Sequence, residues 1–214
     1  MSLRQSRETG VQDEQKHRDL ANIIDRGAAS VAIARGIGDP QLILASRRIN
    51  GRGKRVFDLM FGAAALAFVL PLIAALFVAA RLGRRGPVFE RMAMVGRRGR
   101  PFEQLRFRTS RRGFGRFLER SGLVRLPSLL NVLAGQMSLV GAPPLNTDGV
   151  DALGTERRYY LCARPGLTAP WPEEHVRAAN LHMLCRLYVL NWRLRADFAV
   201  VRAVLFDGSR PRFV

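Results

Sequence analysis

The longest apolar run in the chain extends from Val56 to Ala80, with Asp58 as its only charged residue. As an α-helix it would rise about 37 Å, against a hydrocarbon core of roughly 30 Å in a bilayer. A core helix of a soluble protein is the alternative, but such helices are rarely apolar on all sides over this length. The pattern therefore predicts a membrane-held helix, to which we assign residues 51–82.

Basic residues stand on both sides of this run: Arg52, Lys54 and Arg55 before it, and Arg81, Arg84 and Arg85 after it. Basic flanks remain in the cytoplasm, so a straight span would carry one cluster across the membrane. Pro71 lies in the middle of the run, where it removes a backbone hydrogen bond. A helix broken at Pro71 would enter and leave on one face, as a re-entrant hairpin. A kinked spanning helix remains open on these residues.

The other segments are less apolar. Residues 1–50 are predicted to be a polar arm, in which Gln15 to Arg35 forms either a helix or a tail of low order. Residues 83–214 contain a glycine-punctuated basic stretch, a Pro/Gly-marked run and a helical portion, whose longest apolar-periodic stretch is Asn180 to Phe206. We predict a mainly α fold with a few short strands: a re-entrant membrane helix hairpin and a small cytoplasmic globular domain, 83–214.

The net charge of +18, from 35 basic and 17 acidic residues, favours anionic partners such as phospholipid, nucleotide phosphates or nucleic acid. Cys162 and Cys185 are the only cysteines, too few and too far apart for a disulfide framework or a zinc site. His175 and His182 complete no metal-ligand spacing. The polar N-terminus, MSLRQSRETG, predicts no cleavable secretory signal.

Several sequence blocks resemble, in order, those of the bacterial sugar transferase family, the membrane-bound polyprenyl-phosphate sugar-phosphate transferases of exopolysaccharide and capsule synthesis. The blocks are KRVFD (54–58), GPVFERMAMVGRRGRPF (86–102), LRFRTS (105–110), GRFLERSGLVRLPSLLNVLAGQMSLVG (115–141), ARPGLTA (163–169) and YVLNWRLRADF (188–198). Each block alone is a weak signal. Their common order behind an apolar helix with a central proline makes the resemblance specific.

The resemblance implies a location at the cytoplasmic face of the bacterial inner membrane and a helix that breaks at Pro71 without crossing the bilayer. Family members transfer a sugar 1-phosphate from a UDP-sugar to a polyprenyl phosphate and release UMP. Their chemistry needs an adjacent Asp-Glu pair: the aspartate attacks the diphosphate, and the glutamate assists while Mg²⁺ neutralises the phosphates.

The chain departs from the family at this catalytic turn. Where the family has its Asp-Glu pair, this sequence has Val124 and Arg125. Valine forms no bond to phosphorus, and arginine is permanently protonated, so no catalytic residue is intact. Ala142 replaces the arginine of the family's G-P-R-P turn, Cys185 an expected aspartate, and Ala169 a glycine. Mg²⁺ is expected only if the protein is active.

These departures predict a degenerate member that acts as a partner or regulator of an active paralogous transferase or of polysaccharide assembly proteins. An active transferase with an altered site is a second hypothesis. A membrane-bound protein that meets anionic lipid or nucleic acid is a third.

Several polar residues remain as candidates for binding the phosphate of a UDP-sugar, a polyprenyl phosphate or a membrane lipid: Arg106, Arg108, Thr109, Arg125 and Arg164. A solvated basic face is the alternative in so arginine-rich a chain. Arg98-Gly99-Arg100-Pro101 matches the core of a DNA-binding AT-hook. It also coincides with a turn of the family pattern, so DNA is not an expected partner.

Overall fold

The computed structural model describes residues 40–83, 87–108, 116, 118, 119, 121–171 and 178–204. Thr109 and the predicted Gln15–Arg35 helix lie outside the described residues. The described helices are α1 (Pro40–Ile49), α2 (Arg52–Gly83), α3 (Leu129–Leu133), α4 (Thr147–Asp151), α5 (Arg157–Cys162), α6 (Ala178–Asn191) and α7 (Leu194–Arg202). The strands are β1 (Phe89–Val95), β2 (Pro101–Phe107), β3 (Ser138–Val140) and β4 (Gly166–Thr168). The prediction of a mainly helical fold with a few short strands is confirmed.

Helix α2 contains the apolar run and is a single helix with Pro71 in its interior. It is long and apolar enough to cross a membrane. Within its most apolar stretch of 18 residues, 11% of the residues are buried. A break at Pro71 and a hairpin are therefore not confirmed. Helix α1 lies within the stretch predicted as a polar arm, and it buries Leu42, Ala45 and Ile49 against the domain.

Helix α2 has two different faces along its length. The residues of its inward face recur every three to four positions, as the α-helical period requires, and they pack on the globular part. This face includes Phe57, Phe61, Ala65, Leu66, Val69, Ile73 and Leu76. The opposite face exposes large apolar side chains to the surroundings, and Phe68 is 83% exposed. One globular body thus contacts the helix from Phe57 to Leu76.

The strands form two small sheets. Strands β1 and β2 are antiparallel, with Phe89 opposite Phe107 and Val95 opposite Pro101. A short 3₁₀ turn, Arg97–Gly99, connects them. Strands β3 and β4 are parallel, with Ser138 opposite Gly166 and Val140 opposite Thr168.

A buried ionic cluster joins the start of α2 to helix α7. Lys54 Nζ lies 2.7 Å from a carboxylate oxygen of Asp197 on α7 and 3.4 Å from Asp58. Asp58 accepts one hydrogen bond from the Ser138 hydroxyl and another from the backbone N–H of Leu139, both on β3. Asp197 also accepts from Trp192 Nε1 at 2.7 Å. Buried charges need such pairing, so this cluster fixes three distant segments relative to one another.

We predict that Gly166→Ala strongly destabilises the fold. A Cβ at position 166 would overlap the backbone of Gly141, and neither backbone can move without disrupting the β3–β4 sheet. The free energy of unfolding should fall by about 3 kcal/mol or more. Chemical denaturation in detergent measures it.

Gly53→Ala is the matched control, because a Cβ there meets nothing within 4 Å. Alanine at this helical position should raise stability by up to about 1 kcal/mol. Equal stability of the two variants would contradict the close approach of Gly141 and Gly166.

Candidate functional site

The turn that the resemblance assigns to the family's catalytic segment is held to strand β2 by side chains at its last residue and just after it. It is a 3₁₀ helix, Leu123–Ser128, entered through Gly122 at a φ of 73°. The Ser128 hydroxyl donates to the Leu105 carbonyl at 2.7 Å. Asn131 accepts from the Leu105 N–H at 3.0 Å and donates to the Glu103 carbonyl at 2.7 Å. Strand β2 therefore fixes the position of the turn.

The two residues at the Asp-Glu position point into different surroundings. Val124 is 3% exposed and belongs to an apolar cluster with Leu76, Phe107 and Leu118. Arg125 is exposed on the surface of the turn. Val124 is thus a hydrocarbon side chain in a hydrocarbon environment.

The side chains at positions 124 and 125 do not fit Mg²⁺, which takes oxygen ligands such as carboxylates. Val124 offers no side-chain donor atom, and the Arg125 guanidinium carries the wrong charge. Elsewhere in the described part of the chain, no group of three or more His, Cys, Asp or Glu residues is arranged to hold a metal ion.

Arg106 on strand β2 and Arg108, which follows the strand, face away from Val124. Phe107 is fully buried in the Val124 cluster, and successive side chains of a strand point to opposite faces. Arg106 is half-buried and places Nη1 3.0 Å from the Met92 sulfur, while Arg108 is exposed. The side chains of Arg106 and Arg108 therefore lie on the opposite side of this segment from Val124 and its turn.

Arg164 lies in a different environment, beside the buried ionic cluster. Its Nε donates to the Gly135 carbonyl at 2.9 Å. Burial lowers the pKa of Arg164, and the neighbouring Arg55 charge lowers it further, while Asp58 opposes the shift. Arg164 is thus a half-buried cation near Arg55 and Asp58.

The ionic cluster is the feature that sequence reasoning missed. The KRVFD block carries part of the family resemblance, but its sequence alone assigns no role to Lys54 or Asp58. The Tyr188 hydroxyl lies 3.1 Å from Asp197 Oδ1 and 2.9 Å from the Val140 carbonyl oxygen and can donate its one proton to either, so this tyrosine also belongs to the cluster. Burial raises the pKa of Asp197, whereas its bond to Lys54 lowers it. The signal in the sequence was a Lys and an Asp four residues apart at the start of an apolar helix.

Several aromatic and thiol side chains lie in or against the core. Tyr188 and Trp192 pack against the core. Cys185 is buried and Cys162 mostly so, and burial raises the pKa of each thiol to about 12, as expected of small core residues. Trp171 is also buried and meets the Tyr188 ring edge-on at 6.1 Å. Phe198, in contrast, is 52% exposed.

Comparison with known proteins agrees with this scaffold. The model of the bacterial sugar transferase family matches residues 49–207, so the chain belongs to that family. It is similar to the exopolysaccharide production protein ExoY of Rhizobium meliloti, with 29% identity over 76% of this chain and 88% of the relative. The ExoY of Sinorhizobium fredii is 28% identical over the same shares.

A further relative is the UDP-glucose:undecaprenyl-phosphate glucose-1-phosphate transferase of Caulobacter vibrioides. It is 35% identical over 54% of this chain and 51% of its own length.

We predict that Val124→Asp lowers the free energy of unfolding by about 2–3 kcal/mol, because it places a carboxyl group among apolar side chains. Thermal or chemical unfolding in detergent measures the change. Arg125→Lys, which keeps the positive charge at the exposed neighbouring position, is the control and should shift stability by no more than about 0.5 kcal/mol. A Val124→Asp variant as stable as the parent would mean that the position is open to water, against the packing described.

Proposed function

We propose that this protein is a catalytically degenerate sugar transferase that acts in surface polysaccharide synthesis as a partner or regulator of an active paralogous transferase. The observation that carries the proposal is the burial of Val124 among Leu76, Phe107 and Leu118, where family chemistry needs a solvated nucleophile. Arg125 removes the assisting carboxylate as well. Loss of a nucleophile that works in a unit costs about 10⁴–10⁶ in rate.

The preserved framework around the turn supports a role that depends on shape. Ser128 and Asn131 still fix the turn to β2, although no acid stands at positions 124 and 125. The named relatives include exopolysaccharide production proteins and a glucose-1-phosphate transferase that acts on undecaprenyl phosphate. A protein with this framework is suited to dock on the same assembly proteins, or on the same UDP-sugar and polyprenyl phosphate, without turnover.

We also propose a monotopic attachment to the cytoplasmic face of the inner membrane. Helix α2 contacts the globular part at Phe57, near its start, and at Leu76, near its end. A helix packed on one body over this length lies along that body, which favours attachment to one face of the membrane over a span. The exposed apolar face of α2, including Phe68, would enter the lipid. The basic residues at both ends of the helix favour the cytoplasmic side.

The inactive state predicts no UMP release above background when purified protein is incubated with Mg²⁺, polyprenyl phosphate and a panel of UDP-sugars. Intact-mass measurement should likewise find no sugar-phosphate adduct. An active family member is the positive control, under the same conditions. Turnover or an adduct that disappears in Arg125→Ala would overturn the inactive assignment.

The monotopic attachment predicts that Gly53→Cys and Arg81→Cys, at the two ends of α2, react with a membrane-impermeant maleimide from the same side. Both should be labelled in inside-out vesicles and neither in intact spheroplasts. The parent protein, whose native thiols are mostly buried, gives the background. Labelling of the two positions from opposite sides would establish a span.

A further inference from the structure

Helix α1 carries large apolar side chains on its outer face. Its inner side chains, Leu42, Ala45 and Ile49, are buried in the core. On the outer face Ile43 is 48% exposed and its neighbour Leu44 is 53% exposed. Neighbouring apolar side chains are unfavourable in water, and such a patch marks a surface that contacts a partner or a membrane.

The orientation of this face is fixed by contacts to the globular part. The Asn50 side-chain amide donates to the Cys162 carbonyl at 2.7 Å, and the Ser46 hydroxyl donates to the same carbonyl at 3.3 Å. Helix α1 also packs on α5 and α6. Its outer face therefore cannot turn inward without breaking these contacts. The family match begins at residue 49, so all of α1 except its last residue precedes the matched segment.

Helix α1 leads directly into α2. Only Asn50 and Gly51 separate the two helices. The Gly51 N–H donates to the Arg48 carbonyl at 3.1 Å, so the chain does not leave the end of α1 before α2 begins. Exposed apolar side chains resume in the first turns of α2, at Val56 and Met60. The outer face of α1 thus lies next to the exposed apolar face of α2.

The charge of this stretch indicates an anionic partner. From the start of α1 to the apolar run of α2, the sequence has five basic residues and no acidic residue. Two of the five, Lys54 and Arg55, bond to groups of the globular part. The other three, Arg47, Arg48 and Arg52, are exposed, and no carboxylate among the described residues forms an ion pair with them.

We propose that the outer face of α1 lies in the headgroup layer of an anionic membrane, with Ile43 and Leu44 inserted at shallow depth. Arg47 and Arg48 follow one turn later on the same face, where their guanidinium groups can reach lipid phosphates. A basic amphipathic helix of this kind is typical of a membrane surface. An acidic protein would match the charge as well, but the junction with α2 places this face beside lipid. The inference rests on the proposed membrane attachment of α2 and extends it to a helix that precedes the apolar run.

The test measures the surroundings of a fluorescent nitrobenzoxadiazole label on the full-length protein in vesicles of phosphatidylcholine with one-third phosphatidylglycerol. Separate samples carry the label at Leu44→Cys, Phe68→Cys or Thr155→Cys. Phe68, on the exposed face of α2, is the reference for lipid, and Thr155, exposed in the turn Gly154–Glu156, is the reference for water. Each label is exposed to iodide in the water and to doxyl lipids with the quencher near the headgroup or deep in the acyl chain. The parent, whose native thiols are mostly buried, gives the background.

The label at position 44 should be quenched most by the shallow doxyl lipid, and iodide should quench it about fivefold less than the label at position 155. A label at Ile43→Cys should give the same result. Equal iodide quenching at positions 44 and 155 would overturn the inference. Protection of position 44 from iodide and from both lipid quenchers would also overturn it, because a protein surface would then cover the face.

A second arm tests the charge of the face. In protein labelled at Leu44→Cys, Arg48→Gln should reduce the protection from iodide by about half on the anionic vesicles and change it little on phosphatidylcholine alone. Arg91→Gln removes a positive charge from an exposed position of β1 and is the matched control, which should leave the protection unchanged. Equal protection in Arg48→Gln and its parent on anionic vesicles would contradict the assignment of an anionic surface.

The reference labels separate this inference from the attachment on which it rests. Lipid quenching at position 68 together with free access of iodide to position 44 would place α2, but not α1, in the membrane. Free access of iodide to position 68 would overturn the membrane attachment of α2 and this inference with it. The result of the UMP-release assay would stand in either case.

Discussion

The bond between Lys54 and Asp197 determines how the rest of this protein is assembled. It joins the first turn of the apolar helix to the last described helix, across most of the chain. Asp58, one turn further along, holds strand β3 through Ser138. Burial of three charges is costly unless each is paired, so these groups specify one arrangement of helix, sheet and C-terminal segment. The long apolar helix α2 is therefore part of the core of the domain and is not an appended segment.

This arrangement explains why α2 has one packed and one exposed apolar face. Phe57 and Leu76 lie nineteen positions apart and both contact the globular part. A helix that only anchors a domain would need no such continuous contact. Here the same element supplies core packing on one side and an exposed apolar surface on the other, which accounts for a run that is apolar on all sides.

Much of the fold was predictable from the sequence, because local patterns decide it. The apolar run became α2, and the apolar-periodic C-terminal stretch became α6 and α7. The separation of those two helices at Trp192 was not predictable, since it depends on a bond from the indole to Asp197.

The same limit applied to the candidate site. The replacements at positions 124 and 125 could be read directly, but the burial of Val124 depends on Leu76 and Phe107, which are remote in sequence. The environment of Arg164 likewise depends on Gly135 and Arg55.

The contacts made by Gly135 and Asn131 also affect which sequence changes the region can tolerate. Both hold the region through contacts that involve neither Val124 nor Arg125. The backbone of the turn can therefore keep its place under substitutions at either position, provided that a new side chain at position 124 fits the apolar packing around it.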